Sequence, residues 1–211
     1  MYKKNFIIRY LGIEPWNITY KKMCDFSLNR FNNSLDEIWL VEHTPVFTNG
    51  RASTINNMIN YHHNIPLFSS DRGGKITYHA PGQQIMYILI NIKKRNLNIR
   101  SLIFLLEKTI TNILLYFNIH SDKNINNHTP GVYINKKKIA SIGLKISKGY
   151  TSHGISFNVN MNLSPFKYIY PCGFKKLKMT QLKNFVPNIK ISIIKKLLIR
   201  EFIFLINKYN F

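Results

Sequence analysis

The sequence predicts an α+β fold, a mixed and largely antiparallel sheet with flanking helices. Three observations carry that expectation. Short apolar runs of strand length follow one another at hairpin spacing, two long segments carry an apolar stripe at helical spacing, and no repeat, low-complexity linker or Gly/Ser-rich boundary divides the chain. At 211 residues the chain has the size of one large domain that can bury a full core, so residues 1–211 are read as a single domain.

Asn5 to Leu11 is rich in β-branched and aromatic side chains and reads as a first strand, after which Gly12 to Trp16 turn the chain. From Ile18 to Phe31 the positions Tyr20, Met23, Cys24, Leu28 and Phe31 recur at helical spacing, which puts Cys24 on or near the buried face as a small core residue. Ile38 to Val41 fits a buried strand ending on Glu42-His43-Thr44-Pro45, where Pro45 stops regular structure. His43 then sits at a strand end, either as a site residue or as a local hydrogen-bonding group. Residues 49–70 read as a long loop, and its His62-His63 pair lacks the neighbouring carboxylate or thiol a metal would need. Ile85 to Ile92 is apolar throughout, as a central strand buried on both faces requires. Ile99 to Ile119 is the clearest helix, with a core stripe of Leu102, Leu106, Ile110, Ile113 and Phe117. After a polar loop over 121–130, Gly131 to Ile134 and Ile139 to Ile146 form a hairpin turned by Asn135 to Lys138. Tyr150 to Asn160 adds a strand, and Ile191 to Ile206 closes the chain as an amphipathic helix.

A formal charge of +21 raises nucleic acid as a partner. The composition offers a plainer cause. Lys, Asn and Ile number 23, 26 and 32 while Ala occurs three times, the skew expected where an AT-rich genome fills tolerant positions, and the lysines are scattered along the whole chain. A nucleic-acid partner is therefore not expected. Two cysteines far apart match neither a disulfide framework nor a metal-ligand spacing, so no metal is expected and the thiols are read as reduced. No apolar run reaches the ~18 residues of a membrane span, and the N-terminal residues carry no cleavage-site pattern. The expectation is a cytoplasmic, soluble protein without a membrane partner.

The chemistry concentrates elsewhere. Eight of the ten glycines fall in two clusters, Gly73, Gly74 and Gly82, then Gly131, Gly143, Gly149, Gly154 and Gly173. Glycine permits positive φ or close approach to a ligand, so the clusters imply a backbone-lined pocket. Cys172 lies between Pro171 and Gly173, in a turn that can hold its side chain exposed while the flanking N–H groups face a bound oxygen. It is the candidate nucleophile. A free thiol of pKa about 8.5 is only a few per cent thiolate at neutral pH, so it needs a base or a cation, and Lys138, His79 and His153 are the candidates. A lysine ammonium about 4 Å away supplies roughly 4 kcal/mol at an effective dielectric of about 20. Lowering a thiol pKa by ~2 units takes only about 2.7 kcal/mol.

Arg72-Gly-Gly-Lys-Ile-Thr-Tyr-His79 followed by Pro81-Gly-Gln83, Lys138-Ile-Ala-Ser-Ile-Gly143, Thr151-Ser-His-Gly154 with Asn158, and Pro171-Cys-Gly173 stand in the order found in the lipoyl(octanoyl) transferases. The chain resembles that family from about residue 5 to 185, and Glu42 to Gly50 matches as well. The resemblance implies a fold similar to the catalytic domain of biotin and lipoate protein ligases, and octanoyl transfer from octanoyl-acyl carrier protein to lipoyl domains. The acceptors it implies are the lipoyl domains of 2-oxoacid dehydrogenases and the glycine cleavage H protein, and no cofactor is called for. Carried over by motif, Cys172 forms the octanoyl thioester and Lys138, rather than its neighbours Lys136 and Lys137, activates it and serves as general acid and base. Arg72, Gly73, Gly74, Lys75, Ile76, Thr77, Tyr78 and His79 line the substrate pocket, completed by Ser141, Ile142, Gly143, Gly154, Ile155 and Ser156. One position departs from the family. Ala80 stands where a glycine is usual, and an extended residue before Pro81 tolerates it.

Overall fold

The computed structural model describes residues 6–31, 33–53, 64–122 and 129–209. Strands β1 (Phe6–Glu14), β2 (Asp36–His43), β3 (Val46–Asn49), β4 (Leu67–Ser69), β5 (Thr77–His79), β6 (Gln83–Leu89), β7 (Gly131–Ile134), β8 (Lys137–Ser147) and β9 (Tyr150–Asn158) are joined by helices α1 (Trp16–Asn29), α2 (Ile99–Tyr116) and α3 (Ile191–Lys208). A six-stranded sheet has the order β1-β2-β6-β9-β8-β7, and a small one has β4-β3-β5. Among these nine strands, only β1 with β2 and β3 with β4 pair in parallel. The fold is thus the α+β arrangement with a largely antiparallel sheet.

Strand periodicity explains why the stretches Ile38 to Val41 of β2 and Ile85 to Leu89 of β6 are apolar at every position. Ile38, Leu40, Met86 and Ile88 face the core beneath α2 and α3, whereas Trp39, Val41, Ile85, Tyr87 and Leu89 face a second core that includes Met23 of α1. Both faces are covered, so every position is buried. A third cluster, with Phe47, Tyr78 and Phe166, supports the small sheet.

Four sequence expectations are corrected. β1 does not stop at Gly12: this residue, at φ +72, accommodates a bulge against β2, and the strand runs on to Glu14. Helix α1 therefore begins at Trp16 and buries Trp16, Thr19 and Met23, leaving Leu28 and Phe31 exposed. A polar residue holds a core position there because the Thr19 hydroxyl donates to Glu14 Oε2 at 2.8 Å. The stretch read as one long loop contains β4, held in parallel to β3. His62 and His63 lie outside the described residues. In the β7–β8 hairpin the turn is the two residues Asn135 and Lys136, both at positive φ, with Lys137 and Lys138 already in β8. The Asp122 carboxylate accepts both turn N–H groups, at 2.9 and 2.7 Å, which fixes the register. Ala80 is not among the residues at positive φ, in line with the reading before Pro81. Among the described residues no helix is long and apolar enough to cross a membrane.

At the head of β2 the Asp36 carboxylate receives Arg30 at 3.0 Å and Arg95 at 2.5 Å, all three side chains being nearly buried. Asp36→Ala would strand two buried guanidiniums, and a loss of about 3–5 kcal/mol is expected. Urea unfolding checks this; a loss below about 1 kcal/mol, the range of surface ion pairs, would contradict it.

Candidate active site

Lys138 is the anchor of the site. It sits one residue into β8, and its side chain is fully buried, 0% exposed. Its Nζ donates to Thr129 Oγ1 at 2.7 Å and to Cys172 Sγ at 3.2 Å, and lies 5.2 Å from the Tyr133 ring centre. The space it fills exists because residue 131 is glycine. At φ +150, an added Cβ would stand 2.3 Å from the Ala140 carbonyl oxygen and 2.5 Å from Lys138 Cε. Gly131 N–H donates to Glu107 Oε1 at 2.9 Å. Burial pushes the Glu107 carboxyl up, while that hydrogen bond and the Lys138 charge oppose the shift.

Cys172 is carried on a tight turn that Pro171 begins. The cysteine takes φ 56 and ψ 13, a left-handed conformation that costs a non-glycine residue on the order of 1–3 kcal/mol. The chain after this turn is tied back to the lysine strand. Lys138 N–H donates to the Lys178 carbonyl and Thr180 N–H donates to the Lys138 carbonyl, each at 2.9 Å. Cysteine and lysine are therefore held by one short strap.

The sequence expectation that the N–H groups flanking Cys172 stay free is corrected, since Pro171 has no N–H to offer. Gly173 N–H is committed to the Tyr170 carbonyl at 2.8 Å, because the turn closes on itself. In the Gly-rich loop, Gly73 N–H is committed to Leu144 at 2.9 Å, whereas Gly74 and Lys75 N–H have no protein acceptor among the described residues.

That loop is knotted by Arg72. Its guanidinium donates to the carbonyls of Gly73 (3.0 Å), Lys75 (2.8 Å) and Thr48 (2.8 Å) and to Thr48 Oγ1 (2.8 Å). Burial pushes Arg72 down to about 10, against the opposing pull of Cys172 and Tyr87. Because Thr48 Oγ1 already accepts from Arg72, its own proton faces His79 Nε2 at 3.2 Å. His79 Nδ1 then donates to Gln83 Oε1 at 2.7 Å, and Gln83 Nε2 donates to Asn158 Oδ1 at 2.9 Å. Asn158 donates to the Thr180 carbonyl at 2.9 Å. One buried chain of hydrogen bonds thus runs from Arg72 to the strap beside Lys138.

On the other side, Asp71 joins loop to sheet through His153 Nε2 and Lys145 Nζ, each at 2.6 Å. His153 and Lys145 hold the Asp71 carboxyl far below the usual carboxylate range. Burial pushes His153 down, so the imidazole is neutral and donates. Of the three candidates for activating the thiol, only Lys138 reaches it; His79 and His153 are engaged elsewhere.

A cavity of about 230 Å³ opens beside Cys172. Arg72, Gly73, Gly74, Lys75, Ile76, Thr77, His79, Ser141, Ile142, Gly143, Gly154, Ile155 and Ser156 line it. Tyr78 does not. Alternation along β5 turns it into the small-sheet core against Phe47 and Phe166. The sequence reading missed the rest of the wall, including Trp16, Ile85, Tyr87, Ile99, Ile103 and Leu144. Ile99 and Ile103, one helical turn apart on α2, fall on or beside the same apolar stripe as Leu102, Leu106 and Ile110, so periodicity could not set them apart from the core. Among the described residues no group of three or more His, Cys, Asp or Glu could hold a metal.

An apolar cavity with a cysteine held against a buried lysine defines a site suited to acyl groups. Residues 22–203 match the lipoyl protein ligase A/B catalytic domain. The octanoyltransferase of Buchnera aphidicola from Acyrthosiphon pisum is 49% identical, covering 98% of this chain and 99% of its own. Those of Enterobacter sp. strain 638 and Legionella pneumophila strain Paris are each 44% identical, covering 98% and 93% of this chain and 96% and 98% of theirs. The chain belongs to the lipoyl protein ligase A/B catalytic-domain family, within its octanoyltransferases, and is an acyltransferase. Among solved structures, lipoate-protein ligase A bound with ATP has a TM-score of 0.79 at 14% identity, covering 96% of this chain and 86% of that one. Biotin protein ligase from Aquifex aeolicus with biotin and ATP has 0.61 at 16%, covering 98% and 72%. These two share the fold.

Burial also pushes His43 down to about 4; its Nδ1 meets the Glu14 carbonyl at 2.9 Å and its Nε2 the Tyr87 hydroxyl at 2.8 Å. His79 is lowered well below its ordinary value by the same cause. Since the unfolded chain takes up protons that these folded histidines refuse, their contribution is intact above pH ~6.5 and is lost as pH falls toward ~4. Stability should drop by up to about 1.4 kcal/mol per pH unit for each such histidine in that window. Urea midpoints between pH 7 and pH 5 test this, and His43→Gln should shallow the slope; a flat profile would contradict it.

Proposed function

We propose that the chain, acting as one catalytic domain, transfers an octanoyl group from octanoyl-acyl carrier protein to the lysine of lipoyl domains through a thioester on Cys172. The observation that carries the reading is the 3.2 Å contact between Lys138 Nζ and Cys172 Sγ at the edge of an apolar cavity. An ammonium at that distance stabilises a charged sulfur. The names of the relatives support the octanoyl group, and the acceptor is supported by a structural neighbour, an archaeal lipoate ligase described together with its E2 lipoyl domain.

The chemistry follows in two halves. Cys172 thiolate attacks the donor thioester carbonyl, and the N–H groups of Gly74 and Lys75 serve the developing oxyanion. The C–S bond to the carrier breaks, and the departing thiolate takes the proton of Lys138, which becomes neutral. The lysine amine of the acceptor then attacks the Cys172 thioester and gives its proton to Lys138. The C–S bond to Cys172 breaks, leaving an amide and restoring the thiolate beside an ammonium. Thioester to amide runs downhill without ATP. Apolar walls such as Ile103, Ile142 and Ile155 hold the acyl chain, each buried methylene contributing about 0.8 kcal/mol.

The test is intact-protein mass after mixing with octanoyl-acyl carrier protein in the absence of ATP. One hydroxylamine-labile octanoyl adduct is expected, absent in Cys172→Ser. Product formation that requires ATP and survives Cys172→Ser would instead make the chain a ligase, the activity of its structural neighbours.

A further inference from the structure

The turn that follows Cys172 in the chain is basic and contains no Asp or Glu. Lys175, Lys176 and Lys178 are exposed on the turn that follows Gly173, with Phe174 among them at 40% exposure. Backbone bonding of Lys138 to Lys178 and Thr180 lays this turn against the start of β8, next to exposed Lys136 and Lys137 of the hairpin. Among the described residues none of these five lysines forms an ion pair. The carboxylate at the hairpin, Asp122, is taken up by backbone N–H groups of Asn135 and Lys136. Drift in composition explains lysines scattered over a surface; here they are gathered, unpaired, on the strap that holds the reactive pair.

We propose that this rim is the docking surface for the acceptor domain, through an acidic face flanking the lysine it presents, and not for the acyl donor. The proposal rests on the acyl-transfer reading above. Reach decides between the two partners. A carrier delivers its thioester on a long prosthetic arm and can dock at a distance from Cys172. An acceptor has only the length of a lysine side chain, so its surface must come down on the residues immediately around the sulfur. The exposed turn that continues from Cys172 and Gly173 carries Phe174 followed by Lys175, Lys176 and Lys178, an aromatic beside charges, as productive interfaces are commonly built. Charge pairs on an exposed rim govern encounter and salt dependence, since exposed charges are screened beyond about 8 Å at physiological ionic strength.

The test is titration of an isolated lipoyl domain, and separately of acyl carrier protein, with the parent chain and with K175E/K176E. The lipoyl-domain Kd is expected to rise about 10-fold or more, with a flatter salt dependence, while the carrier Kd stays within about 2-fold. Acylation of Cys172 by octanoyl-CoA, which needs no docking partner, should be unchanged and reports on the chemistry alone. An unaltered lipoyl-domain Kd overturns the proposal, as does a carrier Kd that rises equally. Failure of octanoyl-acyl carrier protein to acylate Cys172 of the parent chain, with the lipoyl-domain effect intact, would defeat the transferase reading and leave the docking surface standing.

Discussion

A lysine ammonium buried without a carboxylate at ion-pair distance is the constraint on which the rest of the site depends. Taking such a charge out of water costs several kcal/mol even after relaxation. Lys138 recovers part of that from the Thr129 hydroxyl, the face of Tyr133, the field of Glu107 and the sulfur of Cys172. Sulfur is the partner whose charge can change during a reaction. Arg72, buried with carbonyl and hydroxyl partners alone, is held without any group of changing charge, whereas Lys138 faces a sulfur, the contact on which the proposed proton exchange relies.

The surrounding architecture serves that pair. Gly131 leaves room for the lysine stem, and the strap from Lys178 to Thr180 couples the cysteine turn to β8. From Thr180 the buried amides of Asn158 and Gln83 lead through neutral His79 and Thr48 to Arg72, which shapes the Gly-rich loop. Each member has its donor matched to an acceptor, and in a low-dielectric interior a fully satisfied network is rigid. The loop is pinned on its other flank by Asp71 to β8 and β9. Pocket wall and reactive pair thus share one polar scaffold.

Much of this was legible in the sequence, for identifiable reasons. β6 and α2 were readable because continuous and 3.6-residue apolar patterns reflect burial on two faces and on one. The Gly-rich stretch and Pro171-Cys172-Gly173 were readable because unusual backbone conformations leave few residue choices. Tyr78 was misplaced because motif membership says nothing about which side of a strand a residue faces. The face of α1 was misjudged because Thr19 is buried through a hydrogen bond that hydrophobicity does not encode. Thr129, the closest partner of Lys138, lies in a polar loop and gave no signal, since its role depends on a contact set by tertiary structure.

The central claim, that Lys138 makes Cys172 reactive by charge and contact, is tested most directly by the rate at which iodoacetamide alkylates Cys172 at neutral pH, with Cys24→Ala as background. Lys138→Met, similar in shape and without charge, is predicted to slow that rate about 10-fold or more. A rate within about 2-fold of the parent, in a variant that remains folded, would contradict the account.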